Sequence, residues 1–442
     1  MTTLYTILMT FVLLAAYPVA LALALFGRMN LLRRLSPPSN IPDDAMVRVW
    51  IHAASVGEAG IAFSTAKELR KRKPGCLIFA STTTFTGLER LESLTKTHEK
   101  TVIDRSFLAP FDHPLVVGSF LRKVRPTSFI LVETELWPAL LRALERRRIP
   151  VVIINGKLGR RTFRRYRIFG AAMRKIMSGL SLVCVQSRSF ARRYRMLGVP
   201  PERIEVLGNI KFDSLPDSSL FKPPVIRSTL GIPPSARVFV AGSTRPGEEE
   251  ILARAFAEIR GRHPDSLMIV APRHLNRVSD VQKIFADAEL PSVKRSAGEK
   301  PSDSGPPVLL LDTMGELLGT FACADAAFVG GSLRDYGGHN PMEPAALGIP
   351  ILFGPYMEQT GAKELLSGGA ATLVHDEHEL AEAVCALFEN TELHKSMAEA
   401  GPKVVARFTG VLARTILCME ARRLLETTDG TAARRHRAPG TV

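Results

Sequence analysis

Cysteine is scarce and unpaired in this chain: Cys76, Cys184, Cys323, Cys385 and Cys418 lie far apart and form no C-x-x-C motif. That spacing excludes a disulfide framework and a zinc ribbon, and fits reduced thiols buried as small apolar residues of a cytoplasmic domain. No G-x-x-x-x-G-K-[ST] run is present, which argues against a P-loop nucleotidase. No compact acidic or histidine cluster offers a metal site, no internal repeat is visible, and no nucleic-acid-binding module is recognisable. Charge is absent altogether from Ile7 to Phe26, where nearly every residue is apolar.

That uncharged run is about the length needed to cross a bilayer as a helix, roughly 20 residues. Arg28, Arg33 and Arg34 follow it and nothing basic precedes it, so the positive-inside rule places everything after Gly27 in the cytoplasm. A cleaved signal peptide would have a basic leading region and a shorter apolar core. The expectation is a single-pass anchor over residues 1–35, with its transmembrane helix at about 5–27. The 442 residues exceed one compact core and imply two domains. A net charge of +15 and a pI near 9.9 call for an anionic partner, whether membrane surface, phosphorylated substrate or nucleic acid.

Beyond a linker-like Ser36-Pro-Pro-Ser-Asn-Ile-Pro42, short β-branched runs alternate with longer helical stretches. The runs are Val47–Ile51, Leu77–Ala80, Phe129–Val132, Val151–Ile154 and Leu182–Val185. Such alternation indicates βαβ units and a parallel sheet. A Ser- and Pro-rich break follows, and the pattern resumes with Val238–Ala241, Leu267–Val270, Val308–Leu311, Ala326–Val329 and Ile351–Phe353. The predicted architecture is α/β, with two Rossmann-like domains facing a cleft behind an N-terminal transmembrane helix. Its parts are a first domain at 36–212, a linker at 213–235, a second domain at 236–410, and a terminal helix with basic tail at 411–442.

Ligands of a parallel sheet bind at the carboxyl ends of its strands, and the chemistry-bearing segments fall there. Val47–Ile51 runs into His52-Ala-Ala-Ser-Val-Gly-Glu58, where Glu58 is either a general base or a first-turn glutamate complementing the helix dipole. Glu133 and Glu135 flank a Thr ahead of Trp137 and Pro138, more acid than a structural turn needs. Asp112, between prolines after a strand-like run, favours a loop-forming role. Asn155 to Arg167 is strongly basic, with Phe163 and Tyr166 interleaved, and suits an anionic membrane surface more than a plain solvated face. Lys211 closes the first half. In the second half, the Ser243 and Thr244 hydroxyls at a helix start are a weak phosphate signal that also fits capping. Arg273 and His274 end a strand, and Glu316 either binds ribose hydroxyls or is an ordinary first-turn acid. The stretch from Phe328 to Pro350 is the most specific, with two Gly pairs, a helix start at Asn340-Pro341 whose N–H groups can meet a phosphate, and Glu343 in its first turn.

Taken together, the blocks WIHAASVGE, VETELWP, NGKL with its Arg-rich sequel, GNIKFD, AGSTRPGEE, VAPRH, DTMGEL and GGHNPMEPAALGIPILFGP resemble, in order, the Kdo (3-deoxy-D-manno-octulosonic acid) transferases of lipopolysaccharide synthesis. The resemblance extends from the anchor to about residue 410. It implies a GT-B glycosyltransferase at the inner membrane, moving Kdo from CMP-Kdo to the lipid A precursor lipid IVA by an inverting displacement. The N-terminal half would take the acceptor and the C-terminal half the donor. Carried over by motif, Glu58 resembles the general base, and Glu133 and Lys211 resemble the groups that stabilise the transition state. Pro272, Arg273, Met314, Gly315, Glu316, Asn340, Pro341, Met342 and Glu343 resemble the donor-binding set. Met342 stands where Leu is more usual, and Gly159 and Thr162 depart from a more Ser-rich pattern. No metal or cofactor is implied, and the partners are the two substrates and the anionic membrane surface, not nucleic acid. The alternatives are a membrane-bound GT-B enzyme using another nucleotide sugar, and a membrane-tethered nucleic-acid-binding protein.

Overall fold

Seven parallel strands build the first sheet: β1 (Arg48–Ala53), β2 (Leu77–Thr82), β3 (Arg105–Leu108), β4 (Ser128–Val132), β5 (Val151–Gly156), β6 (Leu182–Val185) and β7 (Ile204–Val206). Their order across the sheet is β3-β2-β1-β4-β5-β6-β7. The central strands β1, β2, β4, β5 and β6 are buried at every position. Sequence-continuous apolar runs of this kind are what a sheet covered on both faces demands. One face carries the helix Val56–Arg72, which starts with Glu58 in its first turn and ends on Arg70-Lys71-Arg72, charges that complement its dipole at both ends. Its Ala59, Ala62, Ala66 and Leu69 pack on Val49, Ile51 and Ile130. On the other face Trp50 is fully buried, its ring 5.3 Å from Phe129 in an edge-on contact, and its indole N–H donates to the Ser81 hydroxyl at 2.8 Å.

The second sheet consists of β8 (Val238–Thr244), β9 (Leu267–Pro272), β10 (Ser292–Lys294), β11 (Val308–Leu310), β12 (Ala326–Val329), β13 (Ile351–Phe353) and β14 (Ala371–Leu373). It is again wholly parallel, in the order β10-β11-β9-β8-β12-β13-β14. Phe239, Phe256, Phe285 and Phe328 are fully buried in its core, each side chain contributing about 1.5–3 kcal/mol over its exposed state.

The computed structural model describes residues 10, 32–42, 45–97, 101–215, 227–302 and 305–426. Apart from Thr10, the expected span at about 5–27 lies outside the described residues, as do the tail beyond Glu426 and much of the linker expected at 213–235. Among the described residues, no helix is long and apolar enough to cross a membrane. Arg34, past the expected transmembrane helix, is tied to the first sheet's loops: its backbone carbonyl accepts from Phe111 N–H at 3.1 Å and its Nε donates to the Ala109 carbonyl at 3.0 Å.

The chain divides into two compact units, Met1–Asp213 with Gly410–Val442, and Ser214–Thr409. The helix Val411–Ala421, set apart in the sequence as a terminal element, belongs to the first unit. Val411, Ile416, Met419 and the following Leu425 lie in that unit's core beside Ala59, Ala62 and Cys184. Asp213 caps this helix, accepting from Val411 N–H at 3.0 Å and Leu412 N–H at 2.6 Å. Asp112 also proves to be a cap. It is buried and accepts from Ala139 and Leu140 N–H, fixing the start of the helix Pro138–Arg146.

Candidate functional site

In a doubly wound sheet the ligand crevice lies where strand order reverses, beyond the carboxyl ends. In the first unit that point falls between β1 and β4. Glu58 follows β1 and Glu133 follows β4. Glu133 sits at φ 58°, a left-handed conformation unusual for a residue with a side chain. Its Oε1 accepts from Lys211 Nζ at 3.4 Å and from Asn155 Nδ2 at 3.5 Å. The same Lys211 Nζ stands 4.0 Å from where a Cβ on Gly57 would lie, so the ammonium borders the first turn that carries Glu58. The structure thus brings Glu58, Glu133 and Lys211 together.

Glu58 holds its position through Ala54 N–H, which donates to Oε2 at 2.7 Å, and the Ser55 hydroxyl, which donates to Oε1 at 3.1 Å. Burial pushes its pKa up, the Ala54 bond opposes this, and the nearby Glu133 and Glu135 charges add to the rise. Glu135 behaves in the opposite way. Burial alone would raise it, but the His52 imidazole, 3.7 Å away, and the Thr83 hydroxyl, donating at 3.0 Å, hold it below the usual carboxylate range. His52 is itself buried and fixed by Ser81 Oγ at 2.9 Å from its Nδ1. One acid is therefore kept ionised beside another made more basic, a division that suits proton abstraction.

The basic segment forms a helix, Arg160–Ile168, with no buried residue. Arg160, Arg161, Arg164, Arg165 and Arg167 are exposed, and so are Ile168 (81%) and Phe169 (52%) at its end.

In the second unit the reversal lies between β8 and β12. A cavity of about 160 Å³ opens there, lined by Ser243, Arg273, Phe321, His339, Asn340 and Glu343 among others. Ser243 is the bulged residue between Gly242, paired with Ala271, and Thr244, paired with Pro272, and its φ is 58°. Strain of this kind collects at functional sites. A Cβ on Gly330 would collide with the Ser243 carbonyl, so that position must be Gly for β12 to pass so close to the bulge.

The donor-set residues divide. Arg273, Asn340 and Glu343 line the cavity, with Asn340 Nδ2 donating to Glu343 Oε1 at 3.0 Å. Burial raises the Glu343 pKa against that bond. Pro272 and Pro341 are buried, while Met342 is fully buried and packs toward Gly361 instead of facing the cavity. Met314 is 80% exposed. Glu316 is engaged by Arg295 at 3.1 Å and by the Thr313 hydroxyl, which together hold its pKa down.

Two sequence expectations need correction. Thr244 is not available to a ligand, because it is buried and its hydroxyl donates to Glu249 at 2.9 Å. The helix start after Asn340 is short, Met342–Ala346, and the Met342 N–H is taken by Asn340 Oδ1 at 3.1 Å. Sequence reasoning also passed over Glu248. This fully buried carboxylate accepts from four backbone N–H groups: Ser332 and Leu333 at 2.9 Å on Oε1, Gly331 at 2.7 Å and Arg245 at 2.9 Å on Oε2. Burial raises its pKa while those four bonds oppose the rise. The Gly331–Leu333 amides, a type of loop that often binds phosphate, are occupied by the protein's own anion. Three adjacent acids, Glu248 to Glu250, after Gly247 beyond a strand end were the only signal available.

Among the described residues, no group of three or more His, Cys, Asp or Glu is placed to hold a metal ion.

The fold is shared with a glycosyltransferase from Rickettsia africae, with a TM-score of 0.59 at 12% identity over 86% of this chain and 98% of that one. The 3-deoxy-D-manno-octulosonic acid transferase of Haemophilus influenzae is 33% identical over 379 residues, covering 83% of this chain and 85% of that one. The enzyme of the same name from Bordetella pertussis is 29% identical, covering 84% and 86%. Residues 25–214 match the family described as 3-Deoxy-D-manno-octulosonic-acid transferase (kdotransferase). A glycosyltransferase is thereby defined. The chain belongs to the Kdo transferase family of lipopolysaccharide biosynthesis.

Proposed function

We propose that this enzyme transfers Kdo from CMP-Kdo to lipid IVA with inversion, the first unit binding acceptor and the second binding donor. Glu58 takes the proton from a glucosamine hydroxyl as its oxygen bonds to the Kdo anomeric carbon. The bond from that carbon to the phosphate oxygen breaks, and CMP departs with the electron pair. Arg273 meets the phosphate charge, and Lys211 with Glu133 stabilises charge at the reacting centre. What supports this most is the Glu58 carboxylate, made more basic beside Glu133 and Lys211 at the strand-order reversal.

The reading extends to place: an N-terminal span holds the enzyme in the inner membrane, with both units on the cytoplasmic side. The exposed arginines of Arg160–Ile168, with Ile168 and Phe169 beside them, support contact with anionic lipid.

Purified full-length chain, supplied with lipid IVA in vesicles and with CMP-Kdo, UDP-sugars or GDP-sugars in turn, tests this by mass analysis of the product. Mass increments of Kdo are expected from CMP-Kdo alone, at higher rate in anionic than in neutral vesicles. Transfer from a UDP- or GDP-sugar would refute the donor assignment, and equal rates in both vesicle types would refute the membrane surface.

The pH profile offers a separate check. Protonation removes the base, and the Glu58 pKa is raised above its ordinary value of 4.5. The rate kcat/KM is therefore expected to fall as pH drops through an acid limb lying above 4.5. A limb at or below that value in wild-type enzyme would place the base elsewhere.

A further inference from the structure

We infer that Arg245 binds the carboxylate of the transferred sugar acid, giving the donor site two anion positions, one for phosphate and one for carboxylate. The inference rests on the donor reading above. Kdo is an ulosonic acid, so its CMP derivative carries a carboxylate directly on the anomeric carbon as well as the phosphodiester. A site for such a donor has two negative charges to match, and a site for a neutral hexose donor would not need the second.

Arg245 has the properties this requires. Its Nε donates to His339 Nε2 at 3.2 Å and its Nη1 donates to His274 Nε2 at 2.8 Å. Both imidazole nitrogens are acceptors, since a guanidinium has only donors. The guanidinium carbon also lies 5.4 Å from the centre of the Tyr336 ring. Burial, followed by the charges of Arg245 and Arg273, lowers the His339 pKa to about 4, so this partner is a neutral acceptor at physiological pH. Two imidazoles and an aromatic ring therefore orient the side chain while leaving its charge uncompensated.

Several other arginines of this unit differ. Arg277 pairs with Glu249 at 2.8 Å, Arg227 with Asp325 at 2.8 Å and Arg295 with Glu316 at 3.1 Å. Among the described residues, the Arg245 guanidinium pairs with no carboxylate of the protein. Its location is also suitable, because His339 lines the same cavity as Arg273, to which the phosphate is assigned. The Arg245 backbone N–H is committed to Glu248, which leaves the guanidinium as the group that can meet a ligand. A forked, charge-assisted contact to a carboxylate is what a fixed arginine forms best.

The test is calorimetric titration of full-length wild-type and Arg245→Gln enzyme with CMP and with CMP-Kdo. CMP lacks the sugar carboxylate, so its Kd is expected to change less than about twofold, while that for CMP-Kdo weakens roughly 10- to 100-fold, the range for a lost hydrogen-bonded charge. Arg245→Lys keeps the charge without the fork, and an intermediate loss for CMP-Kdo alone is expected. That variant carries the same comparison if Arg245→Gln does not fold. Equal weakening of both ligands would make Arg245 a second phosphate group and overturn the inference, as would no weakening of either. Failure of wild-type enzyme to prefer CMP-Kdo over UDP-sugars would instead overturn the donor reading, whatever the variants do.

Discussion

Glu58→Gln is expected to lower turnover by about 10²- to 10⁴-fold, the usual contribution of a positioned general base, while leaving the Kd for CMP-Kdo unchanged. Glutamine has the same shape and can still accept from Ala54 N–H, the 2.7 Å bond that anchors the carboxylate, so the local fold should persist. What it cannot do is take a proton. The raised pKa of Glu58 comes first from burial and then from the Glu133 and Glu135 charges. Removing either neighbouring charge should therefore lower basicity by less than removing Glu58 itself. Single-turnover rates with saturating donor separate the chemical step from binding. Turnover within a few-fold of wild type would show that another group removes the proton.

Glu248→Ala is expected to have the largest effect on stability. Four backbone N–H groups, on Arg245, Gly331, Ser332 and Leu333, the last three of them in buried bonds, would lose their acceptor. Each unsatisfied donor costs about 1–3 kcal/mol, and water entering the vacated space offsets part of this. A net loss of about 4 kcal/mol is reasonable, since breaking a buried charge interaction costs roughly 3–5 kcal/mol. For a unit of this size that corresponds to a fall in Tm of about 10 °C. Glu250→Ala, at an exposed neighbouring position, should stay within about 0.5 kcal/mol. Calorimetric scans of the two variants decide the matter: a Glu248→Ala transition no lower than that of Glu250→Ala would mean the carboxylate does not hold the loops. Glu248→Gln should fall between them, because one end still accepts while the other turns donors toward Gly331 and Arg245.

The interior of both sheets was legible in the sequence. The apolar runs at Leu182–Val185, Ala326–Val329 and Ile351–Phe353 coincide with β6, β12 and β13. A strand buried on both faces must be apolar throughout, and such runs stand out. The four sheet edges were harder. β7, β10 and β14 were not recognised, and β3 was seen only as an unbounded strand-like run before Pro110. These strands are three or four residues long, and each has partly or fully exposed positions, so neither length nor alternation marks them. Glu58 and Glu133 were legible as candidates because both sit at strand ends. The second site was legible at Arg273, Asn340 and Glu343 for the same reason. Met342 and Thr244 were misplaced because a motif fixes residue types but not which way each side chain turns. Glu248 and Arg245 escaped because key partners, Gly331 to Leu333 for Glu248 and His339 for Arg245, lie more than eighty residues away along the chain.

The helix capped by Asp213 has a consequence for how the protein is made. The first unit's core is closed by Val411, Ile416, Met419 and Leu425, residues that leave the ribosome after Ser214–Thr409, which is one uninterrupted stretch. Vectorial synthesis therefore completes the later-encoded lobe before the earlier one. The nascent chain must carry an unfinished apolar surface around Ala59 and Cys184 for roughly two hundred residues of translation, the interval between Asp213 and Val411.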